Sequence, residues 1–117
     1  MISLAFCFPG LVKNIVVSAD ERTWCVAKPG ASNIDLQHAI DYACGEGGAD
    51  CVPINPGGSC FTPDTLQNHA SYAFNSYYQM HPIPDSCVFG GASILTNINP
   101  SKNTLKYLVK MCYKGIR

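Results

Sequence analysis

A chain of 117 residues forms one domain at most, and its core is modest relative to its surface, so covalent staples matter to its stability. Seven cysteines in so short a chain point to an oxidising compartment and a disulfide framework. The net charge of zero hides an asymmetry: residues 1–101 carry Lys13, Arg22 and Lys28 against all eight acids, whereas residues 102–117 carry five Lys/Arg and no acid. An acidic body offers no basic face to replace phosphate counterions, which excludes nucleic acid as a partner.

Residues 1–19 are apolar, and Val17-Ser18-Ala19 supplies small residues where a signal peptidase reads, so this segment is expected to be a signal peptide cleaved before Asp20. It is atypical, because Pro9-Gly10 interrupts it, Lys13 falls inside it and no positive charge leads it. The alternative is an N-terminal extension in which Cys7 packs. The chain shows no run of membrane-spanning length and no apolar C-terminal tail of the kind exchanged for a lipid anchor.

Ser32, three residues before Asp35, reads as the cap of a first helix whose Leu36, Ala39, Ile40 and Ala43 share a face and which stops at Gly45. Residues 49–61 are rich in Pro and Gly and form a loop. A second helix is expected from Pro63-Asp64 with Thr62 as its cap, ending before Pro82. Its apolar stripe is Leu66, Ala70, Ala73, Phe74 and Tyr77; Tyr72 lies off the stripe and Tyr78 at its margin. Residues 92–98 alternate like a short strand ended by Pro100. Residues 102–117 read as a separate basic amphipathic helix, with Leu105, Leu108, Val109, Cys112 and Ile116 on one face and Lys102, Lys106, Lys110 and Lys114 repeating every four. The fold class is α+β: two packed α-helices and a short antiparallel β-sheet.

Little in the chain points to chemistry. The spacing Cys44-x6-Cys51-x8-Cys60 contains no CxxC pair and no HxxxH partner, so no metal or cofactor is expected. Asp35, Asp41, Glu46, Asp50, Asp64 and Asp85 are scattered over helix starts and loops, where capping and solvation explain them better than a glycosidase pair. No Gly-x-Ser-x-Gly elbow accompanies His38, His69 or His81, and no strand leads into Gly45-Glu46-Gly47-Gly48 as a phosphate loop requires. The residues argue against an enzyme.

Several local motifs occur in one order: Trp24-Cys25, Asp41-Tyr42-Ala43-Cys44-Gly45, Asn55-Pro56-Gly57-Gly58-Ser59-Cys60, residues 65–79 with His69-Ala70-Ser71-Tyr72-Ala73-Phe74-Asn75, and Cys87-Val88-Phe89-Gly90-Gly91. Together, from Thr23 to Ser101, they resemble the plant X8 domain, also called carbohydrate-binding module family 43. The resemblance implies non-catalytic binding of β-1,3-glucan (callose and laminarin-like polymers). Modules of this family are appended to glucanases, form plasmodesmal callose-binding proteins, or stand alone as small cell-wall proteins. It also implies a secreted module at residues 20–101, located in the cell wall or apoplast and in some relatives at plasmodesmata, and acting as a monomer. The disulfides it implies are Cys25–Cys87 and Cys44–Cys51. The family's sixth cysteine is missing, with Thr104 near its place, so Cys60 lacks its family partner; Cys112 on the tail's apolar face is the substitute.

A site for a neutral, hydroxyl-rich glucan needs flat aromatic faces beside amide, hydroxyl and carboxylate groups. The aromatic candidates are Tyr72, Tyr42, Tyr78 and Trp24, with Asn68, Asn75, Gln79, Asp41 and Asn55 as hydrogen-bonding neighbours. Tyr72 and Tyr42 are expected to be exposed because each falls off its helix's apolar stripe, whereas Trp24 beside Cys25 reads more readily as a core residue packed on a disulfide. The competing reading of the whole chain is a small disulfide-rich structural or defence protein without glycan binding.

Overall fold

Strand β1 (Trp24–Ala27) pairs antiparallel with β2 (Ser93–Thr96), placing Trp24 opposite Thr96, Cys25 opposite Leu95, Val26 opposite Ile94 and Ala27 opposite Ser93. The computed structural model describes residues 22–99. Between the strands run helix α1 (Asn33–Cys44) and helix α2 (Leu66–Met80), with short 3-10 turns at Val52–Ile54, Pro84–Ser86 and Phe89–Gly91. Two helices and a two-stranded antiparallel sheet make the α+β architecture that the sequence implies.

All four residues of β1 are buried, because the strand lies between β2 on one edge and α2 on the other. The second edge is closed by helix side chains. Cys25 N–H donates to Asn75 Oδ1 at 3.1 Å and Ala27 N–H donates to Ser71 Oγ at 2.9 Å. Gln67 Nε2 donates to the Ala27 carbonyl at 3.3 Å and Gln79 Nε2 to the Thr23 carbonyl at 3.1 Å. Residues 67, 71, 75 and 79 recur every four and so lie on one stripe of α2. That stripe satisfies backbone groups which a bare edge strand would leave unpaired in the interior.

Helix α1 begins as its sequence indicates, with Ser32 Oγ accepting from the Asp35 N–H at 3.0 Å, and it ends where Gly45 N–H bonds back to the Asp41 and Tyr42 carbonyls. Helix α2 begins later than Pro63-Asp64. Thr65 rather than Thr62 is its cap: its backbone is extended, its Oγ1 accepts from the Asn68 N–H at 3.1 Å, and its own N–H closes a turn onto the Pro63 carbonyl. Pro63 therefore belongs to the approach turn and not to the first helical turn. The loop between the helices folds tightly, since a Cβ on Gly58 would run into the Pro53 carbonyl.

One core cluster joins β1 to both helices through Cys25, Ala27, Leu36, Ala39, Ala70, Phe74 and Tyr78. The other joins Ala43, Ile54, Cys60, Tyr72 and Ala73 beneath the inter-helix loop. Disulfides connect Cys25 to Cys87 and Cys44 to Cys51, each with Cα atoms 5.7 Å apart. Cys60 is buried and disulfide-bonded as well. Its expected partner Cys112 lies outside the described residues, as do the expected signal peptide at residues 1–19 and the tail helix at 102–117. Among the described residues, no helix is long and apolar enough to cross a membrane.

Candidate functional site

Of the four aromatic residues singled out from the sequence, only Tyr42 presents its ring to solvent, at 46% exposure. Tyr72 is 4% exposed, which corrects the expectation from its position off the stripe. Helix α2 is covered on several sides, by β1, by α1 and by the inter-helix loop, so a residue that misses one buried stripe falls on another. Tyr72 packs with Ala43, Ile54 and Cys60, and burial, followed by the charge of Asp50, raises the pKa of its hydroxyl. Tyr78 is likewise in the core, its hydroxyl 2.7 Å from Thr23 Oγ1, and Trp24 is buried within β1.

Of the amide candidates on α2, Asn68 and Asn75 are buried and Gln79 is half-buried. Asn75 is fully buried and holds Cys25 N–H, while Gln79 divides its amide between the Thr23 carbonyl and Asn75 Oδ1. Asn68 is buried near the start of α2. Asn75 and Gln79 thus spend their amide groups on the backbone of β1 and on each other, while Asn68 is buried with its Oδ1 unpaired among the described residues. Asp41 and Asn55 remain exposed, with Asp41 accepting from Gln37 Nε2 at 2.9 Å.

Tyr42 opens onto a cleft of about 380 Å³ between α1 and the Phe89–Gly91 turn, lined by Asp35, His38, Ala39, Tyr42, Phe89 and Gly90. The four α1 residues are spaced i, i+3, i+4 and i+7, so they form one helical face. The opposite wall depends on Phe89, whose φ of +41° is unusual for a bulky residue. Packing sustains that conformation: the Phe89 ring stacks on Phe74 at 4.3 Å with 12° between planes, and Tyr77 meets it edge-on at 5.5 Å. Gly90 follows at φ +60°, where it adds no side chain to the wall.

Tyr77 also meets Tyr42 edge-on at 5.9 Å and His81 at 5.7 Å. An aromatic seam thus runs from the buried Phe74 through Phe89 and Tyr77 to the exposed Tyr42. Hydrogen bonding to Tyr77, then the charge of Tyr77, slight burial and the charge of Glu46, all raise the pKa of the Tyr42 hydroxyl and keep it protonated. Its ring meets Tyr77 on one side and solvent on the other.

Chemically, the cleft combines an aromatic face, an imidazole and one carboxylate, Asp35, among its lining residues. Hydrolysis of a glycosidic bond would require two carboxyl groups flanking the bond. Among the described residues, no group of three or more His, Cys, Asp or Glu side chains is placed to hold a metal ion. The sequence reading missed Asp35, His38, Phe89 and Gly90 as cleft residues. The spacing of Asp35, His38 and Tyr42 was a usable signal, but the position of Phe89 against α1 was not.

The family model of the X8 domain matches residues 23–94, from the residue before β1 into β2. The chain belongs to the X8 domain family. This X8 chain is 51% identical over 86 residues to a glucan endo-1,3-beta-glucosidase of Triticum aestivum, covering 73% of this chain and 18% of that protein. It is 49% identical over 85 residues to plasmodesmata callose-binding protein 5 of Arabidopsis thaliana, covering 72% and 47% respectively. With the major pollen allergen Ole e 10 of Olea europaea it shares 43% over 88 residues, covering 74% and 72%. The X8 chain therefore spans under a fifth of the glucosidase and about half of the callose-binding protein.

Proposed function

We propose that this X8 module binds β-1,3-glucan without cleaving it, and that the cleft between α1 and Phe89 receives the sugar. The observation that carries the reading is the exposed Tyr42 ring, held edge-on by Tyr77 beside Phe89. The C–H face of a glucose ring stacks on such a surface, while Asp35 accepts from sugar hydroxyls and His38 can donate or accept. Relatives named for callose binding and for glucan endo-1,3-β-glucosidase activity support the choice of polymer. In this reading the module occupies residues 20–101 and works outside the cell, in the wall or at plasmodesmata, as a secreted monomer.

Titration calorimetry of the oxidised full chain with laminari-oligosaccharides tests the proposal. The expected result is saturable heat with no new reducing ends, and loss of affinity in Tyr42→Ala with an unchanged circular dichroism spectrum. A folded sample that gives no binding overturns the reading and leaves a disulfide-rich structural protein in its place. Accumulation of reducing ends would show a hydrolase instead.

A further inference from the structure

We propose that the acidic frame of the cleft is a charge filter, admitting uncharged glucan and rejecting glycan chains whose rings carry carboxylates. The inference rests on the glucan reading of the same cleft and adds a selectivity to it. Asp35 lines one part of the cleft. Beyond the lining itself, the exposed Asp41 precedes Tyr42 in the chain and the exposed Glu46 follows it by four residues, just past the end of α1. The last turn of α1 carries no basic residue, and the partial negative charge of its carbonyl end adds to Asp41 and Glu46, whereas Asp35 sits at the positive amide end of the helix.

Among the described residues counter-charge is scarce. Residues 22–99 contain Arg22 and Lys28 against Asp35, Asp41, Glu46, Asp50, Asp64 and Asp85, and neither cation lines the cleft. His38 is the one basic side chain in the lining.

The selectivity follows from donor and acceptor chemistry. An ionised carboxylate only accepts hydrogen bonds, so Asp35 is matched by sugar hydroxyls, whereas a carboxylate on the sugar meets it acceptor to acceptor and charge to like charge. Repulsion between solvent-exposed groups extends over about 10 Å at 0.1 M ionic strength, enough to cover the cleft, and is screened by added salt.

The test compares a laminari-oligosaccharide with the same oligosaccharide oxidised at its primary hydroxyls to carboxylates, titrated at neutral pH into the oxidised full chain. At about 10 mM ionic strength the oxidised sugar should bind at least about tenfold more weakly, and the gap should narrow severalfold near 1 M while the neutral sugar changes little. In the double variant Asp35→Asn, Glu46→Gln, the gap at low salt should shrink as well. Equal affinity of the two sugars at low salt overturns the filter alone. A gap indifferent to both salt and the double variant also overturns it, because the discrimination is then steric. If the neutral sugar fails to bind, the reading of the cleft falls and the filter falls with it.

Discussion

Asn75 lies fully buried on α2 and accepts the backbone N–H of Cys25 through Oδ1 at 3.1 Å, so a helix side chain occupies the place of a neighbouring strand. Ser71 does the same for Ala27 one turn earlier. The disulfide-bonded strand is thereby docked on the helix by directional bonds in addition to apolar contact.

Asn75→Ala should therefore lower stability by about 2–3 kcal/mol, combining an unsatisfied buried N–H with a small cavity, and Ser71→Ala by about 1 kcal/mol. Chemical denaturation measures both. Amide exchange should quicken at Cys25 in the first variant and at Ala27 in the second; unchanged exchange at these sites would show that the side chains are not their acceptors.

The disulfides Cys25–Cys87 and Cys44–Cys51 should differ in consequence. Cys25–Cys87 closes a separation of 62 residues and Cys44–Cys51 one of 7. Loop entropy makes the first worth about 4 kcal/mol and the second about 2–3 kcal/mol. Paired Cys→Ser variants should follow that order in their denaturation midpoints, and the reverse order would contradict it.

Tyr42 and Tyr72 should separate binding from stability. Tyr42→Ala removes a half-exposed ring and should weaken laminari-oligosaccharide binding about tenfold with little loss of stability, the size of one aromatic stacking contact. Tyr72→Ala empties part of a packed cluster and should cost about 3–5 kcal/mol. Loss of affinity in a stably folded Tyr72→Ala protein would reverse the assignment of the cleft.

Burial raises the pKa of Tyr72 above the ordinary tyrosine value of 10.0, with Asp50 adding to the effect. The folded state thus favours the protonated phenol, and the associated stability is complete below the unfolded pKa and lost as pH rises through the folded one. Stability should decline above about pH 10, and Tyr72→Phe should flatten that decline. An identical alkaline slope in the variant would remove Tyr72 as its source.

Features that depend on a few neighbouring residues were legible in the chain alone. The Ser32 cap and Gly45 stop of α1, the end of α2 before Pro82, the strand within residues 92–98 and the ordered motifs of the X8 family each follow from local backbone chemistry or motif order. The fold class followed from them. The start of α2 was less legible, because Thr62 and Thr65 are both capable caps and the choice depends on the turn that Thr65 closes onto Pro63.

The covered faces of α2 were decided by tertiary structure. A single-stripe reading treats the helix as a surface element, whereas β1, α1 and the inter-helix loop surround it, turning Tyr72 and Tyr78 into core residues and Asn75 into a backbone acceptor. The cleft itself exists because Phe89, 47 positions from Tyr42 in the chain, is held against Phe74 and Tyr77. Helical periodicity orders residues within one element, but the meeting of Tyr42 with Phe89 depends on how two distant segments pack, and no local rule carries that information.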